Sequence, residues 1–283
     1  MTKHFSGTCG ERPSLCWLPD KGEGRTSERA FLNVSMALFA ASVAVTIIWC
    51  TSMSTMEGMP MPGGWSMSMM WMRMPGQTWT GATASFLGMW LAMMVGMMLP
   101  SLIPTLCRYR QAVGNRGEGR PGRLTALVST AYFLVWTASG MATFPVGVTL
   151  SELAMQEPEF ARAVPLLAGV VVLVAGVLQF TPWKSYYLSC CRGTVERSRR
   201  WPPDAGTAWR YGLRLGLHCT LCCAPLTAIL LVVGVMDLRA MILVTVAITL
   251  ERLARAGERV ARVTGAVAIG AGLVLIVRAV GVL

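Results

Sequence analysis

The stretch Met89-Trp90-Leu91-Ala92-Met93-Met94-Val95-Gly96-Met97-Met98-Leu99-Pro100 lies in a run, residues 80–106, without a single charged side chain. Coiled as a helix, such a run is long enough to cross the roughly 30 Å hydrocarbon core of a bilayer. Comparable apolar runs follow at residues 124–150, 163–182, 211–235 and 263–283, and one precedes it at 30–50. A shorter run, 240–250, is cut off by Glu251 and Arg252. The chain of 283 residues is 54% hydrophobic and 14% charged, and its mean hydropathy is +0.53. Together these features predict an all-α fold, a polytopic membrane bundle of six or seven transmembrane helices. Seven is the working count, and six applies if residues 240–250 do not cross.

The basic residues predict an orientation. With the N-terminus inside, every Lys and Arg except Arg73, Arg162, Arg239 and Arg278 falls in or beside a cytoplasmic segment, as the positive-inside rule requires. Residues 1–29 are then a cytosolic N-terminal tail. Residues 30–283 form an integral membrane domain, with a Met-rich loop at 51–79 facing outward. The first apolar run starts too late for a cleavable leader, so it is expected to act as an uncleaved anchor in the bacterial inner membrane. The net charge of +11 needs no nucleic acid to explain it, because the basic residues meet anionic lipid headgroups. Of the cysteines, Cys50 alone falls at the outer face, which argues against an external disulfide framework. Cys9, Cys16, Cys107, Cys190 and Cys191 are expected in a reducing compartment.

The outer loop carries Met53, Met56, Met59, Met61, Met67, Met69, Met70, Met72 and Met74 among Pro60, Pro62, Gly63, Gly64 and Pro75. Its thioethers have no obvious core to fill. A thioether is a neutral, soft donor suited to Cu(I) or Ag(I) and poor for Mg²⁺ or Ca²⁺. Capture of a soft metal is therefore the favoured reading, against a low-complexity loop packed on the membrane surface.

Farther along, Gly216-Leu217-His218-Cys219-Thr220-Leu221-Cys222-Cys223-Ala224-Pro225 places three thiols at i, i+3 and i+4, on one helical face. If the helix begins near Tyr211, Cys219 lies about 12 Å along it. Pro225 leaves the carbonyl of Leu221 without its helical donor. Thiolates at this spacing, with His218 adjacent, suit Cu(I) or Zn²⁺. The competing reading is that cysteine is a small apolar residue at home in a core.

Within the opening stretch, Met89, Met93 and Met97 form a stripe, with Met94 and Met98 beside it. The stripe reads either as a ladder of weak ligands for Cu(I) or as filler beside the small-residue ridge Gly88, Ala92 and Gly96. Gln179 and Lys184 read as an interfacial anchor. Cys190 and Cys191 would either receive metal from a cytosolic carrier or be inert. Glu251 is an embedded carboxylate, hence a functional candidate, although pairing with Arg255 at i+4 is the simpler reading. No phosphate loop, His-rich zinc cluster or H-E-x-x-H motif is present, and with only His4 and His218 there is no basis for haem or a multi-His copper oxidase site.

These motifs resemble a bacterial family of predicted metal-binding integral membrane proteins, formerly known only as a domain of unknown function, some of whose members are labelled copper chaperone. The resemblance runs from about Gly88 to the C-terminus. It rests on Met89-Trp90-x-x-Met93-Met94-x-x-Met97-Met98-Leu99-Pro100-Ser101-x-x-Pro104 and on Gly176-x-x-Gln179-Phe180-Thr181-Pro182-x-Lys184. It continues through Cys191-Arg192, Gly212, Gly216, Cys219-x-x-Cys222-Cys223, Gly234-Val235-Met236-Asp237-Leu238-x-x-Met241 and Glu251. The chain departs from the pattern at Tyr187, where a Cys is usual, and at Arg252, where a Lys is usual. The resemblance implies metal handling in the membrane and leaves direction open.

The expectation is thus a membrane protein that binds Cu(I), or another soft metal, and passes it across the membrane or to a copper carrier or copper enzyme. The alternatives are a membrane thiol–disulfide oxidoreductase using Cys219 and Cys222, or a non-catalytic structural subunit of a membrane complex. Membrane lipids and the metal ion are the expected partners, and nucleic acid is not.

Overall fold

The computed structural model describes residues 25–54, 58–73, 76–114, 121–198 and 204–282. Within them the chain forms α1 (Arg25–Ser54), a short hairpin β1 (Met59–Met61) and β2 (Trp65–Met67), and one 3-10 turn at Met69–Trp71. There follow α2 (Trp79–Gly114), α3 (Pro121–Gln156), α4 (Pro158–Leu178), α5 (Pro182–Ser198), α6 (Ala205–Val233), α7 (Leu238–Leu253) and α8 (Gly257–Val282). The fold is the expected all-α bundle. Six of the helices, α1, α2, α3, α4, α6 and α8, are long and apolar enough to cross a membrane.

The run at 240–250 is α7, and its 16 residues give a helix about 24 Å long, short of the hydrocarbon thickness. Among the described residues six helices therefore qualify by length and composition, and α7 is too short to qualify on its own. Direction is nevertheless preserved. Gly169 of α4 sits beside Ile276 of α8 and Gly176 beside Ile269, so these two helices run antiparallel.

Glycines set the closest approaches. A Cβ on Gly176 would stand 2.8 Å from the backbone nitrogen of Ile269, and one on Gly272 2.7 Å from that of Leu173. Backbone meets backbone there, as small residues permit between membrane helices. On α6, Gly216 lies against Val135 and the carbonyl of Tyr132 in α3. By contrast Gly88 and Gly96, expected to form a tight ridge, make only ordinary contacts with Trp49 and Val43 of α1. The helix α1 leans on α2 and leaves Val34, Leu38, Ile47 and Ile48 exposed. Apolar exposure of this kind also marks α4 and α8 and suits a lipid solvent.

The core gathers where α2, α3, α5, α6 and α7 converge. Trp90 donates its indole N–H to the carbonyl of Trp136 at 2.9 Å, clamping α2 to α3. Beneath it Met94, Met98, Leu102, Tyr132, Leu215, Cys219 and Ile248 are fully buried. Asp237 caps α7 by accepting from the backbone N–H groups of Arg239 and Ala240. Asp204 caps α6 by accepting from Thr207 at 2.8 Å.

The described part of the Met-rich segment, residues 58–73, is folded, contrary to the expectation that it has no obvious core to fill. Gly63 and Gly64, at φ of 99° and 75°, turn the hairpin in a backbone region that favours glycine, and Met59 pairs across it with Met67. Trp65 donates to the carbonyl of Ala161 at 2.9 Å. Trp71 lies 5.4 Å from Phe86 between ring centres and covers Gly147. Met67 is buried, and Met70 packs on the main core.

Candidate metal centre

Buried sulfur is concentrated at one level of the bundle. Because α6 begins at Ala205, six residues earlier than expected, Cys219 lies about 21 Å along it rather than 12 Å. Its Sγ is 3.9 Å from Sγ of Cys223 and 4.0 Å from Sδ of Met98 on α2. The hydroxyl of Tyr132, from α3, donates to the same sulfur at 2.9 Å. Arg252, from the last turn of α7, donates Nη1 to it at 3.2 Å and to Oγ of Ser101 at 2.8 Å. The thiol of Cys222 turns instead toward Cys191 on α5 and also meets Cys223. Sulfur contacts therefore run continuously from Met98 through Cys219, Cys223 and Cys222 to Cys191.

The three thiols of α6, expected on one helical face, are all buried, but they do not share one point. Cys219 and Cys223 form one pair and Cys222 with Cys191 another. Among the described residues, no group of three or more His, Cys, Asp or Glu side chains is arranged to hold a metal ion. The close-set group at Cys219 is two thiols and a thioether. His218 lies a third of a turn away, with its ring 6.0 Å from that of Tyr187. Cys190 is half-buried and stands apart from this run of sulfurs.

Below the sulfurs is an ionic layer whose pairing the sequence did not reveal. Lys184 Nζ meets Glu251 Oε2 at 2.7 Å, both side chains almost wholly buried. Lys184 also donates to the carbonyl of Cys222 at 2.8 Å, and Gln179 Nε2 donates to Glu251 Oε1 at 3.2 Å. Gln179 and Lys184 are thus interior residues and not an interfacial anchor, and the ion-pair partner of Glu251 is Lys184 and not Arg255. Arg192 donates Nε to the carbonyl of Arg252 at 3.2 Å, holding the end of α7.

The remaining methionines divide by depth. Met89, Met93, Met94, Met97 and Met98 are all buried. Met93 and Met97, with Met241 of α7, line an apolar groove of about 300 Å³ shared with Phe39, Val43 and Ile47 of α1. In the loop Met59 is exposed, while Met53, Met61, Met70 and Met72 are half-buried. Met56, Met74 and the side chain of Met69 lie outside the described residues. Met236, part of the family resemblance but not among the expected ligands, places its thioether 3.9 Å from the thiol of Cys50.

A family profile described as copper chaperone matches residues 87–275, the span that contains every residue of the sulfur cluster and the ionic layer. The chain belongs to this family, PpoB2. The resemblance noted in the sequence is thereby established, and this PpoB2 member is a copper-related protein with membrane-type helices. Comparison with curated proteins and with solved structures gives no match.

Proposed function

We propose that this chain binds Cu(I) as cargo and passes it across the bacterial inner membrane or to a copper-accepting partner. The observation that supports this most is the spacing of Cys219, Cys223 and Met98. Sulfurs bound about 2.3 Å from one soft ion at trigonal or tetrahedral angles stand about 3.8–4.0 Å apart, and the two separations here are 3.9 and 4.0 Å. Two thiolates and a thioether match the preference of Cu(I) for soft donors. In this reading the Met-rich loop faces outward and collects the ion, and Met89, Met93, Met94, Met97 and Met98 relay it. Cys219 and Cys223 hold it, and Cys222 and Cys191 carry it toward α5. Each transfer then exchanges one sulfur ligand for a neighbour without releasing a bare ion into the hydrocarbon.

The test is copper content of the purified full chain after anaerobic loading with Cu(I). Wild type is expected to retain tightly bound copper, and the variant carrying Cys219→Ser and Cys223→Ser to lose it while inserting normally. Unchanged stoichiometry in that variant would overturn the site. Met98→Leu, which keeps bulk and removes the donor, is expected to weaken retention without abolishing it.

A further inference from the structure

Arg252 is a buried cation whose compensation decides what the sulfur site can hold. Its guanidinium stays charged in a protein, and it is only 6% exposed. Among the described residues no carboxylate forms an ion pair with it, and the buried pair nearby joins Lys184 to Glu251. The Lys184–Glu251 pair beside it sums to zero. What Arg252 touches is Ser101 Oγ and Cys219 Sγ. A lone buried charge is expensive in a low-dielectric interior, and Cys219, a ligand in the proposed site, is within hydrogen-bond reach of it.

We infer that Arg252 is the fixed counter-cation of the site and makes it selective for a monovalent soft ion over a divalent one. The inference rests on the reading that Cys219 and Cys223 are the ligands. Both thiols lose their protons to solvent when metal binds. Two thiolates and Cu(I) or Ag(I) carry a net charge of −1, and Arg252 brings the buried assembly to zero. Two thiolates and Zn²⁺ are already neutral, and Arg252 then leaves one uncompensated positive charge in the core. Softness alone does not separate these ions at a thiolate pair, because Zn²⁺ also binds sulfur well. Charge balance does. Ser101, whose hydroxyl donates to the carbonyl of Met98 at 3.0 Å, fixes the position of the guanidinium beside Cys219.

The experiment loads the detergent-purified full chain with equal Ag(I) and Zn²⁺ and measures bound silver and zinc by elemental analysis. Ag(I) serves as a probe that does not change oxidation state. Wild type is expected to favour silver, and Arg252→Lys to keep that preference because the charge is kept. Arg252→Gln is expected to shift the silver-to-zinc ratio toward zinc by at least about tenfold, since it removes a full buried charge. Ser101→Ala keeps the charge but frees it, and is expected to shift the ratio in the same direction by less. An unchanged ratio in Arg252→Gln, with binding still dependent on Cys219 and Cys223, would overturn the inference and leave the site standing. If Arg252→Gln does not accumulate, Ser101→Ala decides, and an unchanged ratio there overturns the inference. Metal binding that survives loss of both cysteines would overturn the site itself, a distinguishable result.

Discussion

Lys184 and Glu251 illustrate how much one buried residue depends on another. Removing one member leaves an unpaired charge in the core, whereas removing both leaves none. Lys184→Met is therefore expected to cost about 3–5 kcal/mol, read as a large drop in the thermal unfolding temperature of the detergent-solubilised protein. The double variant, Lys184→Met with Glu251→Leu, is expected to recover much of that loss. A double variant no more stable than the single one would show that the pair is held for its bonds to Gln179 and to the Cys222 carbonyl. At this scale the sequence was informative about residue type and silent about pairing. The i, i+3, i+4 spacing located the thiols of α6, because helical periodicity is local. The partners of Glu251 and Cys222 are Gln179 at the end of α4 and Lys184 and Cys191 of α5, more than thirty positions earlier in the chain, and no local pattern encodes such a contact. A nearby Arg255 offered a false partner for the same reason.

Among the elements, the long helices were legible because an uncharged run longer than the bilayer core admits few other structures. The short α7 was hard to place because Glu251 and Arg252 end its apolar run, and in the structure those two side chains point into the core. The β1–β2 hairpin was not legible. Its strands are three residues each, too short to show alternation, and methionine has no strong preference for strands. The contact between α4 and α8 offers a test of element packing. Gly176→Leu forces a side chain into the backbone of α8, and overpacking of this sort costs about 1–3 kcal/mol. It is expected to lower the unfolding temperature, while Gly281→Leu, where a Cβ meets nothing, leaves it unchanged. The cap of α6 offers a second test. The hydroxyl and backbone N–H of Thr207 hold the Asp204 carboxyl below its ordinary value. The stabilisation it gives is present above the ordinary carboxyl value and is lost as pH falls through the lowered one. Protection of the Thr207 amide from hydrogen exchange, relative to its intrinsic rate at each pH, is therefore expected to fall in Asp204→Ala at neutral pH, and to fall in wild type only in that acid range.

For the whole molecule, orientation is the property on which the proposed path of copper depends. A membrane-impermeant thiol reagent is expected to label Ser66→Cys, an exposed hairpin position, in intact cells. It is not expected to label Gln111→Cys near the end of α2 until the cells are opened. Reversed labelling would put the methionine hairpin in the cytosol and reverse the direction of transfer. The sulfur cluster has a further property at this scale, because it draws Met98 from α2, Tyr132 from α3, Cys191 from α5, Cys219 and Cys223 from α6, and Arg252 from the end of α7. During synthesis these parts emerge in that order. A nascent chain interrupted after α5 has none of the thiols of α6, and one interrupted after α6 has the thiols without the guanidinium. The guanidinium joins the sulfurs only in a chain translated through residue 252, so the charge selection inferred for the site is the last of its properties to appear during synthesis.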